Sequence, residues 1–258
     1  MIIHQANDAQ VRMSMLQPYS VLLFDIEGTT SAISFVTDTL FPFAVAHLPE
    51  FLKHNIDQIS DVVDAFRQQA AEDLQAGRTD AVSIPIEDRS EILEAVLHNA
   101  LAQIAADRKV TPLKFIQGQI WADGYRSGTL KGHVFEDVLL AFQNLVAQKK
   151  RIYIYSSGSV QAQKLIFGHS ISGDLCPYIS GYFDTNIGHK IHSDSYRAIA
   201  DEIGVPSHQI LFLTDKVSEA KAASEADCQA VVLNRPGNPE QPAHDFVTWS
   251  DFKALCAD

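Results

Sequence analysis

Six residues are of types that together can handle a phosphate ester: Asp25, Glu27, Ser156, Ser157, Lys190 and Asp215. Three clusters among them each end an apolar run. Val21-Leu22-Leu23-Phe24 runs into Asp25, with Glu27 and then Gly28-Thr29-Thr30 just beyond. Residues 152–155 run into Ser156-Ser157-Gly158-Ser159, and residues 210–214 run into Asp215, with Glu219 four positions on. Lys190 stands in the polar stretch GHKIHSDSY. A hard cation such as Mg²⁺ takes oxygen ligands and keeps several waters, and Asp25 and Asp215 could hold one between two strand ends. Asp25, its repulsion for a phosphate dianion lowered, could act as a nucleophile and pass through an aspartyl-phosphate. Ser156 or Ser157, the amides at the next helix start and Lys190 could bind the phosphoryl oxygens and stabilise developing charge. Glu27 could protonate the leaving oxygen and then activate water. A tight turn over residues 26–28 is expected to bring both acids into one pocket.

Each residue also has a plainer reading. A strand-end Asp is often a helix N-cap, so Asp25 or Asp215 could merely cap the next helix. A Ser/Gly cluster after a strand is usually a turn. Glu219 could be a solvated helix position, and Lys190 a surface loop residue. The conjunction argues for one site: acid, serine, lysine and acid in that order, three of them at strand ends. In open parallel sheets, sites lie beyond the carboxyl ends of the strands.

The elements that must position these residues follow from periodicity. Short continuous apolar runs suit strands buried on both faces. From residue 133 onward helices and strands alternate, which implies a parallel sheet covered by helices. Residues 20–40 and 133–258 are therefore expected to form a doubly wound α/β core domain. Residues 41–132 read differently, as an all-helical cap domain inserted after the first strand. Ile56, Ile59, Val62, Val63 and Phe66 have helical spacing, with Asp57 or Ser60 available to cap and Gly77 just past the end. Residues 87–109 repeat the pattern. Residues 1–19 read as an arm in which Met13 and Met15 are packing residues.

Composition excludes several classes. The chain has 258 residues, a formal charge of -12 and 46% hydrophobic residues, enough for a large core and wrong for a nucleic-acid binder. The basic cluster Lys149-Lys150-Arg151 reads as a helix end. No apolar run is long enough for a membrane span, and no signal peptide is legible. Cys176, Cys228 and Cys256 have neither zinc nor disulfide spacing, so reduced thiols in a cytoplasmic protein are expected. The histidines show no HExxH spacing. Nothing suggests a coiled-coil seam, and a monomer is expected.

FDIEGTT, IYSSGS, Lys190 and LFLTDKVSE resemble, in that order, the four motifs of the haloacid dehalogenase superfamily of phosphotransferases. Glu27 replaces the second Asp usual in the first motif. That change, with the stretches around Gln117-Gly118 and Trp121-Ala122-Asp123-Gly124-Tyr125, resembles the enolase-phosphatase branch, and the similarity spans about residues 21–237. The resemblance implies a Mg²⁺ enzyme of methionine salvage with a small phosphorylated substrate. It would enolise 2,3-diketo-5-methylthiopentyl 1-phosphate and then hydrolyse the ester to give the acireductone. Carried over, Asp25 is nucleophile and metal ligand, and Asp215 a metal ligand. Glu27 is the second acid, meeting the metal by carboxylate or backbone oxygen. Ser156 and Ser157 bind substrate, and Lys190 binds phosphate. Lys221 stands where this branch often has an acid. Trp121, Tyr125 and Phe115 either line an apolar pocket or fill the core of the helical block, with core favoured for Phe115. An ordinary phosphomonoesterase of the same fold and a non-catalytic phosphometabolite binder are the competing readings.

Overall fold

In a computed structural model, which describes residues 18–256, the apolar runs become strands of one parallel sheet. β1 (Val21–Phe24) is wholly buried, as four consecutive apolar residues require when both sheet faces are covered. It pairs on one side with β2 (Arg151–Tyr155), Leu23 opposite Tyr153, and on the other with β4 (Ile210–Thr214), Phe24 opposite Leu213. β3 (Gly181–Phe183), β5 (Gln229–Leu233) and β6 (Val247–Trp249) complete the order β3-β2-β1-β4-β5-β6. The order reverses between β1 and β4, so the crevice that such sheets use for ligands opens where Asp25 and Asp215 stand. The sequence pattern does not predict β3 or β6. Each has three residues, too few to show a period, and each lies at a sheet edge.

The described residues divide into two compact units, one running to Val36 and resuming at Lys131, the other Thr37–Leu130. In the first, α5 (Val138–Ala147), α6 (Val160–Gly168), α7 (Ser193–Ile203) and α8 (Val217–Glu225) alternate with the strands. Ser159 caps α6 by accepting from the Ala162 amide at 3.2 Å. One core packs Val21, Leu23, Tyr155, Tyr196 and Phe212 against the α7 and α8 residues Ile199 and Ala223.

The second unit is built from α1 (Phe41–Asn55), α2 (Ser60–Gln75), α3 (Arg89–Ala105) and α4 (Thr111–Arg126). Its own core joins Leu48, Leu52, Phe66, Val96, Ile116 and Ile120. Neither Asp57 nor Ser60 caps α2. Asp57 falls in a 3-10 turn and Ser60 is already the first helical residue, after an Ile59 that makes no side-chain cap. Asp88 does cap α3, accepting from the Ser90 and Glu91 amides at 2.8 and 3.0 Å. Tyr125 is buried, and Trp121 is half-buried with its indole N–H donating to the Leu40 carbonyl at 2.9 Å. Phe115 is 41% exposed, so the core position favoured for it is not realised. All three cysteines are free thiols, and no helix among the described residues is long and apolar enough to cross a membrane. The arm expected over residues 1–19, with Met13 and Met15, lies through residue 17 outside the described residues.

Candidate active site

Asp25 continues the sheet for one more bond, its amide donating to the Leu213 carbonyl at 2.9 Å. The chain then turns. The amides of Thr29, Thr30 and Ser31 all converge on the Ile26 carbonyl at 3.2, 3.0 and 2.8 Å, and Gly28 N donates to the Ser31 carbonyl at 2.7 Å. Thr30 Oγ1 reinforces the turn by donating to the Asp25 carbonyl at 3.0 Å, and the Ile26 amide donates to Asp25 Oδ1 at 2.7 Å. Gly28 sits at φ 70°, and a Cβ there would lie 2.7 Å from Asp215 Oδ2 and 2.9 Å from Asn238 Oδ1. Glycine is required on both counts, conformation and space.

Lys190 enters from the loop before α7 and is 8% exposed. Its Nζ lies 2.6 Å from Asp25 Oδ1 and 2.7 Å from Glu219 Oε2. Glu219 also accepts from Thr214 Oγ1 at 2.7 Å. The Lys190 backbone is itself fixed, its carbonyl accepting from Tyr196 OH at 2.7 Å. Burial alone would push this ammonium down. Asp25 and Glu219 more than reverse that, and it is held above the ordinary lysine range. Burial pushes Asp25 up to about 7, against the pull of Lys190 and with the help of Glu219 and Asp215. Burial likewise pushes Asp215 up to about 6, opposed by Lys216 and reinforced by Glu219.

Asp25, Glu27, Ser156, Ser157 and Lys190 line one cavity of about 210 Å³, together with Thr185, His189, Ile191, Lys216 and Glu219. Asp215 is not among the lining residues. It is 1% exposed, behind Gly28, and neither carboxylate oxygen has a hydrogen-bond partner. Ser156 is held at the end of β2 by its amide, which donates to the Phe183 carbonyl at 3.2 Å, and its Oγ accepts from the Gly158 amide at 3.2 Å. Among the described residues no three His, Cys, Asp or Glu side chains are grouped to hold a metal ion, so the half-buried Glu27 carboxylate does not complete a cluster with Asp25 and Asp215.

The plainer readings fail at three residues. The α8 N-cap is Lys216, with no side-chain cap, so Asp215 is not capping. Glu219 is buried and ion-paired rather than solvated, and Lys190 is buried rather than a surface residue. Lys221, by contrast, is exposed on α8, away from the cavity lining. Sequence reasoning misses the importance of Glu219, although an acid in the first turn of the helix after Asp215 is an available signal. Two further residues that hold the turn, Asn238 and Arg235, give no signal in the sequence.

A sheet reversing between two acid-tipped strands, with a buried lysine on the first acid, is the arrangement of a class. The model of the haloacid dehalogenase-like hydrolases matches residues 19–227. The enolase-phosphatase E1 of Drosophila mojavensis is 49% identical over 91% of this chain and 94% of its own length. That of Aedes aegypti is also 49% identical over 91% of this chain, which spans only 22% of that longer relative. The solved structure of the UTR4 protein of Saccharomyces cerevisiae has a TM-score of 0.73 at 34% identity, covering 91% of this chain and 99% of that one. The chain belongs to the enolase-phosphatase E1 family.

Proposed function

We propose that the chain converts 2,3-diketo-5-methylthiopentyl 1-phosphate to the acireductone 1,2-dihydroxy-3-keto-5-methylthiopentene and phosphate, within methionine salvage. One observation carries the chemistry. Lys190 bridges Asp25 and Glu219 on the wall of a cavity that Glu27, Ser156 and Ser157 also line. The family relatives support the substrate.

In this reading a proton first leaves the carbon bearing the phosphate ester and the neighbouring carbonyl oxygen gains one, giving the enol phosphate. Asp25 then attacks phosphorus while the ester P–O bond breaks and Glu27 protonates the leaving oxygen. Water, deprotonated by Glu27, attacks the aspartyl-phosphate, and Asp25 leaves. Ser156, Ser157 and Lys190 hold the phosphoryl oxygens and stabilise their charge.

The site suits a divalent cation, and Mg²⁺ is the one proposed. Both Asp215 oxygens are buried without a partner, a costly state for a carboxylate. Asp25, Asp215 and Glu219 also outnumber Lys190, the one buried ammonium that bridges acids here. Asp25 and Asp215, with a Glu27 oxygen and water, would form the all-oxygen donor set that Mg²⁺ prefers. Bound there, it would lower the repulsion between these carboxylates and the phosphate. The three free thiols suit a cytoplasmic setting, and the chain is proposed to act as a monomer.

Turnover of diketo phosphate carrying two deuterons on the phosphate-bearing carbon tests the reading. Loss of one of the two deuterons to solvent, together with phosphate release, is expected. Phosphate release with both deuterons retained in the product would identify an ordinary phosphomonoesterase instead.

A further inference from the structure

The turn that carries Glu27 is gripped from outside by the loop after β5. Arg235 is 4% exposed, with its guanidinium between the rings of Phe135 and Phe252 at 4.4 and 4.2 Å. Two of its nitrogens donate to the Asp137 carboxylate at 2.7 and 3.0 Å, while Nε donates to the Thr29 carbonyl at 3.0 Å. Asn238 Nδ2 donates to the Gly28 carbonyl at 2.9 Å and to the Leu233 carbonyl at 3.1 Å. Two successive carbonyls of the turn are thus held by side chains from one loop. That loop is anchored to the end of β5 by Leu233 and to the start of α5 by Asp137.

The two acids of the turn depend on this grip unequally. Asp25 is fixed by the sheet through its bond to Leu213 and by Lys190. Glu27 lies beyond the sheet, so its backbone is placed only by the turn, whose next residue is a glycine at φ 70°. The Ile26 carbonyl holds the two peptides of the Gly28 and Thr29 carbonyls at their N–H ends, at 3.2 and 3.0 Å, and the loop supplies the restraint on their carbonyl ends against rotation at the glycine. The guanidinium, held by two rings and a bidentate carboxylate, has no freedom to follow such a rotation.

We infer that Arg235 and Asn238 are positioning residues for Glu27, locking the Gly28 and Thr29 carbonyls so that the Glu27 carboxylate is held at the cavity. This rests on the acid–base role proposed for Glu27. A double-mutant cycle between Asn238→Ala and Glu27→Gln, read as kcat with the diketo phosphate, tests it. In the wild-type background, Asn238→Ala is expected to lower kcat about 10-fold or more, because small misplacements of a reacting group are expensive. In the Glu27→Gln background the same substitution is expected to change kcat by less than about 2-fold, as for two residues acting through one group. Inorganic phosphate should bind Asn238→Ala as it binds the wild type, since Ser156 and Lys190 do not depend on the turn. Arg235→Lys, which keeps the charge but loses the fork, provides a second cycle with the same expectation should Asn238→Ala fold poorly.

Equal losses from Asn238→Ala in both backgrounds would overturn the positioning role and leave Glu27's role intact. Full kcat in Glu27→Gln would overturn the acid–base role, and with it the reason for placing Glu27.

Discussion

Gly28→Ala isolates the packing between the Asp25–Ser31 turn and Asp215. An alanine at φ 70° costs roughly 1–2 kcal/mol in the left-handed region. The new methyl would lie 2.7 Å from Asp215 Oδ2, 2.8 Å from Asp215 Cγ and 2.9 Å from Asn238 Oδ1. Carbon atoms pack at about 3.5–4.0 Å, so these neighbours must retreat by most of an ångström. All three are side-chain atoms, and the backbone can stay. The fold should therefore lose little, a melting-temperature drop of roughly 2–8 °C for a chain of this size. The site should lose much, because displacement of a reacting or binding group by about 1 Å can cost roughly 100-fold. Calorimetry for stability and phosphate release under divalent-cation titration are the paired assays. The expected result is a folded protein with kcat/KM down about 100-fold and a weakened response to cation. A folded Gly28→Ala with wild-type activity and cation response would refute the placement of Asp215 behind Gly28 as functional.

The other predictions concern single groups. Glu27→Asp shortens the second acid by one methylene. The glutamate's extra reach is proposed to serve the carbon-bound proton as well as the ester, so the change is expected to slow enolisation more than phosphate release, measured as separate single-turnover rates, and equal slowing or none would remove any role for the extra length. Asp215→Asn should raise the cation concentration giving half-maximal activity at least about 10-fold. Without cation it should melt no lower than wild type. The folded pKa of Asp215, about 6, lies above the ordinary carboxylate value, so its charged form destabilises the fold as pH rises through that window, and asparagine removes this. In the helical unit, Asp73 is buried and paired with Arg108, whose hydrogen bond and charge hold its carboxyl below the usual range. The pair's contribution is fully present above the ordinary Asp pKa of about 3.9 and is lost as pH falls through the lower folded value. Asp73→Asn should cost roughly 1–3 kcal/mol near neutrality, because the half-buried Arg108 can turn to water once its partner is lost, and should flatten the acid limb of a melting-temperature profile.

How far the sequence reveals these features depends on their length and range. β1, β2 and β4 announce themselves as apolar runs that stop at polar residues, and their common sheet edge follows from the alternation with helices. β3 and β6 are edge strands too short for any pattern to emerge. Asp25, Glu27, Ser156 and Ser157 are legible as groups at or just beyond strand ends. Lys190 is suggested by its type and by family resemblance, but not its burial between two carboxylates. Glu219 can be counted onto a helix, yet only the fold shows that its face turns inward. Arg235 and Asn238 reach their turn carbonyls across sequence separations of 206 and 210 residues, and no local pattern encodes such a contact.

The central claim is that Asp25 takes the phosphoryl group. Rapid-quench turnover of the phosphate-labelled diketo substrate, with peptide mapping of the quenched protein, measures this most directly. A transient acyl-phosphate on the peptide containing Asp25, absent in Asp25→Asn, is the predicted result. Phosphate release with no phosphoenzyme, or with the label on another residue, would contradict it.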